Sequence, residues 1–150
     1  MPDDRSIHEV YVYLTVRDMK AAIAFYSAAF GAEFLFQLSE PSGRVGHAEL
    51  KLGPSVLMLA EAFPEFGINA PPPEGVVGSR VHLHVEDCDA MAARAVAAGA
   101  TMLMEPKDQF YGERACRLLD PFGHHWLLGH QLEQLSPEEM QRRYDALFEG

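Results

Sequence analysis

The stretch LLDPFGHHWLLGH, residues 118–130, sets Asp120, His124, His125 and His130 around the only tryptophan, Trp126. Imidazole and carboxylate groups hold borderline divalent cations, so this clustering is a candidate metal site. The same residues also spell a turn. Asp120 can accept from the backbone N–H groups that follow it, Pro121 presets φ, and Gly123 permits a positive φ. On that reading a hairpin enters a last strand, Trp126 is core or pocket wall, and His124 and His125 are turn and surface residues. Three other runs carry chemistry at strand spacing. Tyr11 and Tyr13 alternate with Val10, Val12 and Leu14, and His47 and Glu49 alternate with Ala48 and Leu50. Arg80, His82, His84 and Glu86 alternate with Val81, Leu83 and Val85. Side chains two apart on a strand share a face. Each run therefore shows aromatic or ionisable groups on one side and apolar groups on the other. Either that side is the wet face of a sheet, or it lines a pocket. His82 and His84 are near enough to chelate, and Glu49 is the candidate general base.

An internal repeat says how these runs are positioned. Leu14, Val16 and Asp18 recur as Leu83, Val85 and Asp87, 69 positions later. Each copy continues through an Ala-rich stretch to Gly-Ala, at Gly31-Ala32 and Gly99-Ala100. Gly43 and Gly112 are again 69 apart. Residues 8–16 read as a strand. Asp18 suits an N-cap, Met19 to Phe30 follow helical spacing, and Gly31 suits the C-terminal turn. Strands follow near 33–39, 45–52 and 55–60. The second copy gives a strand at 80–86, a helix at 88–98, and strands near 101–106, 113–119 and 125–130. The order is βαβββ twice, in modules 7–62 and 79–131 of one domain spanning 1–150. Segment 63–78, with three consecutive prolines, reads as a linker. A last helix over 136–148 opens on Ser136, Pro137 and Glu139, the pattern of a capping box.

The totals narrow the partners. The chain has 150 residues, 12 basic and 22 acidic, with a net charge of −10. A surface that neutralises phosphates needs clustered lysine and arginine, so nucleic acid and anionic membrane are poor partners. No apolar run approaches the 18 or so residues of a membrane span. The N-terminus lacks the pattern of a signal peptide. Two cysteines, Cys88 and Cys116, are too few for a disulfide framework, and a reducing cytoplasm is the expected compartment. Cys88 aligns with Met19 and reads as core. Cys116 falls on a strand that can border the pocket, with no base beside it in sequence.

The two modules and the pieces VRDMKAAIAFYSAAFGAEF, HAELKLGPSVLMLAE and DPFGHHWLLGHQLEQLSPEEMQRR resemble the vicinal oxygen chelate superfamily. That group contains glyoxalase I, the bleomycin resistance proteins and the extradiol dioxygenases, and the pieces look closest to its PhnB-like branch. The resemblance implies an α+β fold. Two βαβββ modules would form an incomplete, cupped, antiparallel or mixed barrel, followed by a C-terminal helix. It also implies a homodimer with pockets near the subunit contact. Metal-using members hold the ion with four ligands, two per module. Counted from VRDM, VEDC and GHHWLLG, three of those positions fall on Tyr11, Arg80 and Leu127, and only Glu49 matches. A permanent cation at Arg80 opposes a metal, and one carboxylate does not hold a catalytic ion. The expectation is a metal-free protein that binds a small aromatic or cationic molecule. Its ligand-binding residues would be Tyr11, Tyr13, His47, Glu49, Arg80, His82, His84, Cys116 and Trp126. The alternative is a glyoxalase-type lyase, isomerase or dioxygenase acting on a small metabolite. It would use a divalent metal on a displaced set, Glu49, His82 and His84, or Glu49 as base without one.

Overall fold

The computed structural model describes residues 4–149. The first module runs β1 (Val12–Val16), α1 (Met19–Phe30), β2 (Glu33–Ser39), β3 (Val45–Leu52) and β4 (Ser55–Glu61). The second runs β5 (Arg80–His84), α2 (Cys88–Ala98), β6 (Thr101–Asp108), β7 (Glu113–Leu119) and β8 (His125–Gln131), and α3 (Pro137–Ala146) follows. Both modules are βαβββ, and the fold is α+β.

Each module builds its own open four-stranded sheet, in the order β1-β4-β3-β2 and β5-β8-β7-β6. In each, the first strand lies parallel to the last and the other pairs are antiparallel. The chain divides into two compact units. Gly31–Ala70 belongs to the first and the residues from Pro71 onward to the second, with Ala28–Phe30 grouped in the second. The boundary falls inside the expected 63–78 linker. That segment carries a 3-10 turn at Pro64–Phe66 and a bridge between Phe63 and Ile68. Among the described residues no helix is long and apolar enough to cross a membrane.

Local chemistry sets the element ends. Asp18 Oδ1 accepts from Ala21 N at 3.0 Å and Asp87 Oδ1 from Ala90 N at 3.1 Å, so both helices start on an aspartate cap. The first residue of each helix finds a second acceptor on its module's last strand. Met19 N donates to Glu61 Oε2 at 2.9 Å, and Cys88 N donates to His130 Nδ1 at 2.8 Å. Glu61 also takes Val45 N on Oε1 at 2.6 Å, tying β3 to the same carboxylate. Glu61→Ala would leave two part-buried N–H groups without this acceptor. It should cost about 1–3 kcal/mol in urea unfolding. Glu61→Gln keeps one acceptor oxygen and should cost less, and equal costs would contradict this role.

The expected strand 8–16 begins only at Val12. β1 is an edge strand whose pairing starts with Val12 opposite Leu57, two residues into β4, and Val10 stays exposed. The strand 80–86 ends at His84, although Val85 N still bonds Gly129 O at 2.8 Å. The capping box at α3 is half made. Ser136 Oγ accepts from Glu139 N at 3.1 Å, but the Glu139 carboxylate is taken by Arg142 and Arg143. These two guanidinium groups hold its carboxyl down to about 2. Arg143 also bonds Glu133 and the Phe110 carbonyl, which ties α3 to β6–β7 and the segment after β8.

The buried layer uses the apolar parity of each strand. In the first module Val16, Ala48, Leu50, Leu57 and Leu59 are buried. In the second, α2 lies across β6, β7 and β8, and Cys88, Ala92, Ala95, Cys116, Leu118, Trp126 and Leu128 are buried. The DPFG turn forms as its residues require. Asp120 Oδ1 accepts from Phe122 N at 2.8 Å and His124 N at 3.0 Å, while Oδ2 accepts from Trp126 Nε1 at 2.9 Å. Gly123 has φ +94°.

Candidate functional site

The register of the first sheet aligns four side chains across all four strands. Tyr13 on β1 pairs with Met58 on β4, Met58 with Glu49 on β3, and Glu49 with Phe36 on β2. Cross-strand partners share a face, so the row presents a phenol, a thioether, a carboxylate and a phenyl ring on one side. His47, two residues before Glu49, joins it. Its Nδ1 lies 2.6 Å from Tyr13 Oη and its Nε2 lies 2.8 Å from Glu49 Oε2. The Tyr13 and His47 rings are tilted with centroids 5.5 Å apart, and Phe36 and His47 are 5.9 Å apart.

This geometry sets the direction of the hydrogen bonds. An ionised carboxylate only accepts, so Nε2 of His47 carries the proton toward Glu49, and in the neutral imidazole Nδ1 is then the acceptor for the Tyr13 hydroxyl. Partial burial, and then the charge of Glu49, raise the Tyr13 phenol above its usual range, so it keeps its proton. Tyr11 precedes β1, and its hydroxyl bonds the Glu9 carboxylate. That bond first, then burial and the charges of Glu9 and Glu49, push its phenol up as well. Tyr11 is 44% exposed, Tyr13 51% and Phe36 42%. Half-exposed rings around a carboxylate suit stacking and the attraction of a cation to aromatic faces.

The second sheet has the corresponding row with different chemistry. His82 pairs with Leu127, Leu127 with Arg117, and Arg117 with Met104. The place Glu49 holds in the first module is therefore held by Arg117. His84 lies two residues on, beside Gly129 in register. Its Nε2 is 2.7 Å from Glu113 Oε2, at the start of β7. The His82 and His84 rings meet edge-on, with centroids 5.7 Å apart at 84°. Donor atoms of His82, His84 and Glu113 all lie within 4.8 Å of one another.

The expected site residues thus sort into three places. Tyr13, His47 and Glu49 come together in the first module, with Tyr11 under the field of Glu49. His82 and His84 come together in the second, where His84 meets the Glu113 carboxylate. Arg80 is exposed at the start of β5, opposite His125 in register. Cys116 and Trp126, both expected in the pocket lining, are fully buried in the core. Trp126 pairs with Val81 and Leu118, and Cys116 with Leu128, on the parity opposite to His82, Leu127 and Arg117. Cys88 Sγ is 3.7 Å from Cys116 Sγ. Burial pushes the Cys116 thiol up to about 12 and raises that of Cys88. Neither is a nucleophile at neutral pH.

The histidines of the last hairpin do not form a cluster. His130 caps α2 through Cys88 N, and His125 Nε2 meets the Gly75 carbonyl. The stretch is a turn, as its second reading held. A surface depression of about 680 Å³ lies elsewhere. It is bordered by α2 and β6, with Ala92, Ala93, Val96 and Met102 among its lining. Asp89, Glu105 and Arg114 also line it, and it holds none of the expected residues.

Reasoning along the sequence missed Phe36, Met58 and Glu113. The first two emerge only from register. Glu113 had a visible signal. It sits two residues from Ala115 and four from Arg117, on the same strand parity, just after the turn glycine Gly112.

The sequence profile of the Glyoxalase/Bleomycin resistance protein/Dioxygenase superfamily matches residues 7–128. An uncharacterised protein of Mycobacterium bovis is 36% identical over 141 residues, which is 92% of this chain and 93% of that protein. The crystal structure of TioX from Micromonospora sp. ML1 is similar with a TM-score of 0.66 at 25% identity, over 83% of this chain and 99% of that one. A glyoxalase/bleomycin resistance protein/dioxygenase family enzyme from Burkholderia phytofirmans PsJN shares the fold, with a TM-score of 0.65 at 23% identity, over 81% of this chain and 97% of that one.

Proposed function

Because the chain belongs to the glyoxalase/bleomycin resistance protein/dioxygenase superfamily, we propose that it binds a small, partly aromatic, cationic molecule on the polar face of its first sheet. The observation that carries this reading is the Tyr13–Met58–Glu49–Phe36 row with His47 bonded at both ring nitrogens. Tyr13, Tyr11 and Phe36 supply ring faces, Met58 supplies a soft apolar floor, and Glu49 supplies the countercharge. The net charge of −10 adds long-range attraction for a cation. Capture by this face asks for no metal. His47 is already engaged on both nitrogens, and Tyr11, Arg80 and Leu127, at the positions where metal-using relatives place ligands, do not make a donor set with Glu49.

The test is a ligand screen by thermal shift, weighted to cationic aromatics and including bleomycin. A hit that stabilises the wild-type protein and fails to stabilise Glu49→Gln would support the reading. A hit indifferent to Glu49, Tyr13 and Phe36 would contradict it.

A second reading makes the protein a metal-dependent lyase, isomerase or dioxygenase. The observation that favours it is the convergence of His82, His84 and Glu113.

The proposal extends to a homodimer. The strand β2 exposes Phe34 (50%), Leu35 (47%) and Leu38 (61%) along its length. An exposed apolar edge strand is a liability unless something covers it, and a second copy is the expected cover. Light scattering should give twice the chain mass, and Leu38→Lys with Leu35→Lys should shift it toward the monomer. A monomeric wild-type protein would contradict this.

A further inference from the structure

We propose that the second module carries a divalent-cation site made by His82 and His84 of β5 and Glu113 of β7, of the kind that takes zinc, nickel or cobalt(II). Two imidazoles and a carboxylate are a donor set for such ions, with positions left for water. The site is separate in its residues from the first module's aromatic face and does not rest on the ligand reading above.

Four observations converge on it. Alternation along β5 turns both histidines to one face, and their rings meet edge-on at 5.7 Å. The three donor atoms lie within 4.8 Å of one another. Zinc bonds of about 2.0–2.1 Å would draw donors to roughly 3.3 Å apart in a tetrahedral set. His82 and His84 are both exposed, so rotamer adjustment can supply that closure. Third, the Glu113 carboxylate is half used. Its Oε2 takes His84 Nε2 at 2.7 Å, while Oε1 is buried with no hydrogen-bond partner among the described residues. A buried carboxylate oxygen without a partner is costly, and a bound cation would satisfy it.

The fourth observation is the floor of the site. Gly129 of β8 sits beside His84 in register. A Cβ at position 129 would lie 2.8 Å from Glu113 Oε1 and 3.3 Å from His82 Nε2. Thus Oε1 and the His82 nitrogen converge over a glycine that leaves them room. Glu113 also lines a pocket of about 350 Å³ with Tyr111, Gln131, Glu133 and Met140, and the two histidines are exposed. The positive groups nearby are Arg80, two residues before His82, and Arg117, in the His82 row. They oppose the ion and set its affinity below that of a closed structural site.

The experiment uses untagged full-length protein, stripped with chelator and dialysed, titrated with cobalt(II) chloride and read by its visible absorption. Zinc chloride is followed in parallel by calorimetry. The expected result is one equivalent per chain. His84→Ala and Glu113→Gln should each weaken binding at least about tenfold. Gly129→Ala should weaken it comparably by filling the space while keeping every donor. Melting curves show that the variants are folded. No saturable uptake, or uptake unchanged in His82→Ala, His84→Ala and Glu113→Gln, would overturn the site. The readout is metal alone, so its failure leaves the first module's ligand reading untouched, and the reverse holds as well.

Discussion

Trp126→Ala should remove about 3–5 kcal/mol of stability, the range for truncating a large buried aromatic. A domain of this kind has about 5–15 kcal/mol in total, so the variant should melt far below the wild-type protein or fail to accumulate. The cost has two parts. Trp126 is fully buried between Val81 and Leu118 in register, and its removal leaves a void in the second module's core. It also takes away Nε1–H from Asp120 Oδ2, and Asp120 is only 3% exposed. Asp120 itself shapes the turn by accepting from Phe122 N and His124 N. Trp126→Phe separates the parts, since it keeps most of the ring volume and loses the hydrogen bond. It should cost about 1–3 kcal/mol. A Trp126→Ala protein within about 1 kcal/mol of wild type in urea unfolding would contradict the placement of Trp126 in the core and return it to the pocket wall.

Glu49→Ala should weaken binding of a cationic aromatic ligand by about 10- to 100-fold, or about 1.5–3 kcal/mol, the range for a hydrogen bond to a charged group. Two effects add. The countercharge is lost, and His47 loses the acceptor that fixes its tautomer. Without that acceptor, Nδ1 of His47 is no longer held as the acceptor for Tyr13. Tyr13→Phe should have a smaller effect, about 1 kcal/mol, because the ring face remains and only the hydroxyl is lost. The ordering of the two variants is the informative part. A purely apolar ligand would reverse it, being indifferent to Glu49 and sensitive to Tyr13 and Phe36.

The elements were legible because local signals agree in this chain. Asp18 and Asp87 precede Ala-rich helical runs, Gly31 and Gly99 follow them, and Asp120-Pro121-x-Gly123 contains the residues its turn demands. Alternation also gave the right faces for Tyr13, His47, Glu49, His82 and His84. What alternation could not give was which residues on different strands become neighbours. The Tyr13–Met58–Glu49–Phe36 row depends on register, and register is set by the packing of the opposite face. Glu113 shows the same limit. The repeat spacing would not have found it either: Gly43 and Gly112 are 69 apart, which carries Glu49 onto Leu118, yet the residue in that row is Arg117, 68 positions on. The carboxylate that reaches His84 comes instead from the strand's first residue. Cys116 and Trp126 were misplaced for a simpler reason. Each neighbours a residue of the polar face along the chain, Arg117 and Leu127, and therefore points to the other side.

The most direct test of the central claim is calorimetric titration of a cationic aromatic hit into the wild-type protein, Glu49→Gln and Tyr13→Phe. If the first sheet's polar face is the binding surface, the wild-type protein should bind one equivalent per chain. Affinity should fall at least about tenfold in Glu49→Gln and less in Tyr13→Phe. The same titration after chelator treatment should be unchanged. Equal affinity in all three proteins, or binding that vanishes once metal is removed, would contradict the account and move the ligand site to the second module's His82, His84 and Glu113.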